Sequence, residues 1–329
     1  LGACRSVEHY DRLNEIEEGS YGVVFRARDT QTGDVVAVKK LKFDRAQRGF
    51  PITSLREIAT LKAIRHDHVV ALREIVVGHS PSQIYIVMDF VEHDLKTLMG
   101  DMREPFLQSE VKTLLLQLLS ATAHMHERWI LHRDLKTSNL LMNNRGQIKV
   151  ADFGLARYFT EPLPPLTQLV VTLWYRAPEL LLGAREYSTA VDMWSIGCIF
   201  GELLTNKPLL EGKSEIDQIA KIFALIGFPS KADYPGFAAL PNAASVSTPT
   251  NQRYTGSAVR TTFPLLTAAG ADLLGRLLHW DPAKRISARA ALAHPYFSED
   301  PRPKAADMFP TFPSRNTEDR RARASPRAP

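Results

Sequence analysis

The spacing of hydrophobic positions changes along the chain. Val35-Val36-Ala37-Val38-Lys39 and Gln83-Ile84-Tyr85-Ile86-Val87-Met88 are dense in β-branched and aromatic residues, so residues 10 to 90 read mostly as strands. One helix interrupts them. Leu55, Ile58, Leu61 and Ile64 recur at helical spacing, and Pro51 suits a first helical turn. From about residue 108 the pattern is helical. Glu110 to His126 is apolar-rich, and Ala190 to Leu204 is apolar almost throughout, which predicts a buried helix. Ala268 to Leu278 and Ala288 to His294 are further helices. Residues 227 to 265 are rich in Pro, Gly, Ser and Thr with little periodicity, and read as irregular structure packed on the helical part. No internal repeat is visible. The expected class is α+β: a β-rich N-terminal lobe with one helix (1–88), a hinge (89–93), a mainly helical C-terminal lobe (94–300) and a tail (301–329).

Composition narrows the class. With 329 residues, 44% of them apolar, the chain has enough material for two lobes with a sizeable core. Two cysteines, Cys4 and Cys198, are too few for a disulfide framework, which fits cytosol or nucleus. No apolar stretch approaches the ~18 residues a transmembrane helix needs, so no membrane partner is expected. The first residue is Leu and no signal peptide follows, which reads as a piece of a longer product. Net charge is +5, but Pro301 to Pro329 hold seven basic and three acidic residues, so the tail carries most of it. The globular part is near neutral, and nucleic acid is not an expected partner of the domain. The tail, rich in Pro, Arg and Ala, reads as extended or disordered. A role in tethering RNA is the lesser reading, because no aromatic residue lies among Arg320 to Arg327 to stack on bases.

The candidate chemistry lies in an ordered series of motifs. His132-Arg133-Asp134-Leu135-Lys136-Thr137-Ser138-Asn139 is followed 13 residues after Asn139 by Asp152-Phe153-Gly154, and 25 residues after Asp152 by Ala177-Pro178-Glu179. Together these resemble the signature of a protein kinase and imply its bilobal fold. The resemblance implies that Asp134 accepts the proton of a substrate hydroxyl, and that Asn139 and Asp152 hold Mg2+ against ATP. Lys136 is typical of Ser/Thr kinases, and Thr172 supports Asp134 and Lys136. Glu179 with Arg285, and Asp192 in the long apolar helix, resemble structural anchors of the family.

Upstream, Gly19-Ser20-Tyr21-Gly22-Val23-Val24 lies between two strand-like runs, where glycines let backbone amides approach phosphates. The motif usually begins one glycine earlier, where this chain has Glu17; a side chain there must point away from the nucleotide or crowd its ribose. In a strand, residues two apart share a face, so Ala37 and Lys39 both face the nucleotide. Glu57, 18 residues on, is the carboxylate expected to fix Lys39. Ile16, Val24, Met88 and Leu141 are expected adenine walls, with purely core roles as the alternative. By the same resemblance Glu18 belongs to the phosphate loop, and Asp89, Val91 and Asp94 to the nucleotide contacts of the hinge.

Pro51-Ile52-Thr53-Ser54-Leu55-Arg56-Glu57 resembles the cyclin-binding helix of cyclin-dependent kinases, in the spelling of the PITSLRE subfamily. Tyr187 to Trp194 and Gly212 to Ile219 are similar to the same subfamily, and the likeness runs from about residue 8 to 313. It implies a cyclin partner, of L type, and a role in transcription and splicing or in cell-cycle control, in nucleus and cytoplasm with the nucleus favoured. Thr167 aligns with the activating phosphosite, on which Arg56, Arg133 and Arg157 would close. Ser20 and Tyr21 occupy the inhibitory phosphosites. Val170-Val171 before Thr172 resembles the floor that selects proline after the acceptor, which implies Ser/Thr-Pro protein substrates, and Ser325-Pro326 is such a site within the chain. Two alternatives stand: the sister subfamily with a serine in place of Thr53, and a pseudokinase scaffold, against which Lys39, Glu57, Asp134, Asn139 and Asp152 all argue.

Overall fold

The structure, a computed structural model, describes residues 4–19, 22–42, 52–80, 83–159, 172–185 and 188–312. Ser20, Tyr21, Pro51, Thr167, Val170, Val171 and Ser325 lie outside the described residues. In chain order the elements are β1 (Tyr10–Gly19), β2 (Gly22–Asp29), β3 (Val35–Leu41), α1 (Ile52–Ala63), β4 (Leu72–Val77), β5 (Ile84–Asp89), β6 (His93–Asp94), α2 (Leu95–Asp101), α3 (Gln108–Glu127), β7 (Ile130–Leu131), β8 (Leu140–Met142), β9 (Ile148–Val150), β10 (Arg157–Tyr158), α4 (Pro178–Leu181), α5 (Ala190–Thr205) and α6 (Glu215–Ile226). There follow α7 (Ala243–Val246), α8 (Pro249–Gln252), α9 (Val259–Thr262), α10 (Ala268–Leu277) and α11 (Ala288–Leu292). The class is the α+β expected. Among the described residues no helix is long and apolar enough to cross a membrane.

Contacts divide the chain into two units. One holds Leu1–Leu98, Ser138–Ala156 and Asp307–Pro329; the other holds Met99–Thr137 and Arg157–Ala306. The division differs from a break at residues 89–93. Strand pairing explains this: β6 pairs with β8, which keeps His93 and Asp94 in the first unit, and β8 with β9 forms a hairpin within it.

The first unit is built on an antiparallel sheet of order β1-β2-β3-β5-β4. Alternation along the strands gives it two apolar faces. Phe25, Ala27, Val36, Val38, Val76 and Val87 form one cluster, while Leu41 and Ile86 meet Ile58 of α1 on the other. Of the apolar stripe expected on α1, Ile58 and Leu61 are buried but Leu55 is 50% exposed, as is Ile52 at 59%. The stripe therefore describes the core-facing residues only from Ile58 onward.

The second unit is centred on α3 and α5, which pack on each other. Every residue from Ala190 to Leu203 is buried. Residues 227–265 contain only short helices. They contribute Phe228 and Phe237 to an aromatic cluster with Phe223 and Trp280, whose rings lie 5.4 Å apart, and the Trp280 indole donates to the Gly227 carbonyl at 3.0 Å. Helix α6 was not among the expected helices, although Ile216, Ile219, Ile222, Phe223 and Ile226 recur at helical spacing. The Ser214 hydroxyl accepts from Asp217 N–H at 3.2 Å to cap it, and its first apolar residue, Ile216, is 74% exposed.

Residues 301–312, the start of the stretch expected to be extended or disordered, make defined contacts. Lys304 donates its backbone N–H to Ser109 O at 3.0 Å and pairs with Glu110 at 2.8 Å, in the second unit. In the first unit, Phe309 is buried, and the Phe312 N–H donates to Asn144 Oδ1 at 3.2 Å. Lone anchors between prolines have no period, so a pattern search does not see them.

Candidate active site

In the first unit the sheet register places the candidate residues in rows. Ile16 is the extra residue of a bulge in β1, after which Glu17 opposes Val24, Val24 opposes Lys39, and Lys39 opposes Ile86. Ala37 opposes Met88 one row away. Opposed residues share a face, so Lys39, Ala37, Val24 and Met88 look the same way, as the period of two requires. Glu17 is exposed on that same side, and neither points away nor leaves Lys39 untouched: its charge acts on the ammonium. At the end of the turn, Gly22 has no room for a side chain, since a Cβ there would lie 2.1 Å from the Lys40 carbonyl oxygen.

Lys39 Nζ donates to both carboxylate oxygens of Glu57, at 2.7 and 2.9 Å, and both residues are buried. Burial pushes the Lys39 ammonium down. Glu57, with Asp152 and Glu17 further off, outweighs burial and holds it above the ordinary lysine value. Helix α1 brings Glu57 here because Glu57, Ile58 and Leu61 lie on its inward side, while Arg56 is half-buried and turned from them by one helical step.

The hairpin β8–β9 carries the other pair. Leu140 opposes Val150, so Asn139 and Asp152 flank its open end, and Ala151 N–H donates to Asn139 O at 2.9 Å. Asp152 sits at φ 61°, a left-handed conformation costly for a residue with a Cβ, and its neighbour Phe153 is fully buried. Leu141, Val24, Ile16 and Met88 are each half-buried, and Ala37 and Val91 are buried. Asp94 spends one carboxylate oxygen capping α2, accepting from Thr97 N–H at 2.8 Å. The Asp89 carboxylate pairs with Arg73 and Lys149. The backbone of Glu18 and Gly19 closes β1.

In the second unit, Lys136 Nζ pairs with Asp134 Oδ2 at 2.8 Å and reaches Thr172 Oγ1 at 3.4 Å, the grouping expected of these three. Asp134 N–H donates to His132 Nδ1 at 3.2 Å. Asp192, fully buried, accepts from His132 N–H at 3.0 Å, Arg133 N–H at 2.8 Å and His126 Nε2 at 3.0 Å. Those bonds hold Arg133 at φ 70°. Arg157 opposes Leu131, two residues before Arg133. Arg285 grips Glu179 through two hydrogen bonds, at 2.8 and 3.0 Å.

One group was not found from the sequence. Thr137 and Tyr175 both donate to the Glu202 carboxylate, at 3.0 and 2.6 Å, which ties the loop after Asp134 to the segment after Thr172 and to α5. Burial, then Glu202, pushes the Tyr175 hydroxyl well above its ordinary value. Trp174 and Gln218 make a second tie, through Gly212: Trp174 Nε1 donates to Gly212 O at 3.1 Å and Gln218 Nε2 to Trp174 O at 3.3 Å.

The arrangement has known counterparts. The protein kinase domain family matches residues 10–297. The chain is 59% identical to the Serine/threonine-protein kinase ppk23 of Schizosaccharomyces pombe, over 96% of this chain and 79% of that protein. It is 55% identical to human Cyclin-dependent kinase 11B and 53% to Cyclin-dependent kinase G-1 of Oryza sativa subsp. indica, each over the whole of this chain but 41% and 48% of those proteins. The chain thus spans under half the length of several relatives it matches. Protein kinases generally use ATP and Mg2+. By family and by identity along the whole of its own length, the chain belongs to the protein kinases, among the PITSLRE-type cyclin-dependent serine/threonine kinases.

Proposed function

We propose that this chain transfers the γ-phosphoryl group of ATP to serine or threonine hydroxyls followed by proline, and does so with a cyclin of L type seated on α1. The observation that carries the reading is the buried Lys39–Glu57 pair, whose ammonium also feels Asp152. A scaffold that bound without transferring has no use for a desolvated ion pair, which costs more to bury than apolar residues would. Lys39 would hold the α- and β-phosphates. The oxygens of Asn139 and Asp152 suit a hard divalent ion. Among the described residues no three His, Cys, Asp or Glu side chains gather as a self-contained metal site. Mg2+ held by Asn139 and Asp152 would offset negative charge on the phosphates. Asp134 orients and deprotonates the acceptor hydroxyl, and Lys136 steadies its carboxylate and offsets negative charge on the phosphoryl oxygens.

The cyclin reading rests on Ile52 and Leu55, apolar and about half exposed, one helical turn apart on α1. Thr167, closed on by Arg56, Arg133 and Arg157 once phosphorylated, is the proposed activating site, and Ser20 and Tyr21 the proposed inhibitory ones. Action in the nucleus, on transcription and splicing, completes the reading. The test is a kinase assay with a Ser-Pro peptide and its Ser-Ala twin. With L-type cyclin, the chain should phosphorylate the first at least roughly tenfold faster, because a non-proline residue buries an unpaired amide. Leu55→Asp should abolish the response to cyclin while leaving thermal stability unchanged. Equal rates on the two peptides, or full activity of Leu55→Asp, would remove the corresponding half of the reading.

Glu17 has its own expected effect. Its carboxylate shares the face of Lys39 and repels the phosphates that Lys39 is there to hold. Glu17→Gln should lower KM for ATP about two- to five-fold, the range of an exposed charge pair. A rise in KM would mean that Glu17 holds the nucleotide.

A further inference from the structure

Asp89 ends β5, between the candidate adenine contacts Met88 and Val91, yet its side chain serves something else. Oδ1 accepts from Arg73 Nε at 3.1 Å. Oδ2 pairs with Lys149 Nζ at 3.2 Å and accepts from Ala71 N–H at 3.4 Å. Arg73 Nη1 donates to Asp34 Oδ2 at 2.9 Å. Lys149 stands opposite Leu141, and Leu141 opposite Asp94. One carboxylate therefore joins the end of the five-stranded sheet to the row of β8–β9 that carries Leu141.

We propose that Asp89 and Lys149 are positioning residues for the nucleotide base: their ion pair sets the separation between Met88–Val91 on one side and Leu141 on the other. This rests on the kinase reading of the same site. Three observations support it. All three groups are within one unit, so the tie acts locally. The pair is four-fifths shielded, with 20% of Asp89 and 23% of Lys149 exposed, where an ion pair is less screened than at the surface. Other bonds from β9 are made by its backbone to the segment before β4: Val150 to His68 O and Val70 N–H at 2.9 and 3.0 Å, and Ile148 O to His68 Nδ1 at 3.1 Å. With Lys149 released, β8–β9 keeps those backbone bonds and loses its tie to Asp89 at the end of β5.

The test uses the full chain. Mg-ADP affinity is measured by calorimetry, and KM for ATP and kcat are measured with cyclin, for Asp89→Asn, Lys149→Met, Lys149→Arg and the double variant Asp89→Asn/Lys149→Met. Each of the first two should weaken ADP binding and raise KM for ATP about three- to ten-fold, with kcat within two-fold, and the double variant should be no worse than the poorer single. Lys149→Arg should restore affinity. Lys149→Met leaves Asp89 its Arg73 and Ala71 donors, so it keeps the test decisive if Asp89→Asn unfolds. Unchanged affinity in Lys149→Met, additive losses, or a fall in kcat at constant KM would overturn the proposal. A wild-type chain that binds no ADP would instead overturn the kinase reading on which it rests.

Discussion

Asp134→Asn should cut phosphoryl transfer about a thousand-fold while nucleotide affinity stays within a few-fold, the span that general-base groups commonly contribute. The substitution keeps volume and shape. It removes the only feature that matters for proton transfer, an oxygen able to accept the hydroxyl proton. It also turns either an amide N–H or a weaker acceptor toward Lys136 Nζ, which now lies 2.8 Å from Oδ2, so the lysine is released as well. Lys39, Glu57, Asn139 and Asp152, the residues assigned to the nucleotide, lie in the first unit and keep their own side chains in the variant. Turnover of a Ser-Pro peptide and calorimetric binding of Mg-ADP separate the two effects. Loss of ADP binding in step with turnover would contradict the role given to Asp134.

Asp192→Asn should destabilise the chain by about 3–5 kcal/mol, the cost of breaking a buried, hydrogen-bonded charge. Asp192 is an acceptor three times over, and two of its donors are backbone N–H groups, His132 and Arg133. An amide presents one oxygen and one NH2, so at least one of those N–H groups would face another donor. Arg133, at φ 70°, would relax toward ordinary backbone and carry Asp134 with it. The pH dependence has a definite sign. Burial raises the Asp192 carboxyl, but the hydrogen bond and charge of His126, the charge of His132 and the Arg133 N–H outweigh it and hold it below the ordinary carboxylate range. A lowered folded-state value contributes stability above the unfolded value and loses it as pH falls through the folded one. The gap between wild type and variant in a urea titration should be flat from about pH 6 to 8 and close only below about pH 4. A gap already closing at pH 6 would show that Asp192 is not the group responsible.

The sequence made most of this site legible because local chemistry carried it. Lys39 and Ala37 share a face by strand period alone, and Asp134, Lys136 and Asn139 lie within one short motif. Glu57 was legible as the only well-placed carboxylate of its helix. What escaped was non-local. Glu202 lies 65 residues from Thr137 and 27 from Tyr175, and nothing in the neighbourhood of any of them marks the meeting. Asp89 and Lys149 are separated in the same way. Helix α6 was legible in principle, since Ile216, Ile219, Ile222, Phe223 and Ile226 keep helical spacing and Ser214 caps the Asp217 N–H, although Ile216 itself faces outward. The side on which Glu17 lies depends on the bulge at Ile16, since one inserted residue flips every side chain beyond it. Leu55 satisfies the helical stripe yet is exposed, because a stripe shows which residues are apolar and not which are covered.

The division of the chain bears on how it is made. The first unit draws on Leu1–Leu98, then on Ser138–Ala156, then on the C-terminal segment. As the polypeptide leaves the ribosome, the five-stranded sheet has all its strands once Asp89 is out. Yet His68 and Val70 then present open backbone groups, whose partner is Val150. Lys149 is still unsynthesised, so Asp89 waits beside Arg73 for its second cation. Phe309 and Phe312 arrive later still. Completing this unit therefore lags well behind its sheet, and a nascent chain stalled before Val150 leaves the backbone groups of His68 and Val70 open, the kind of surface that holdase chaperones and misassociating neighbours compete for.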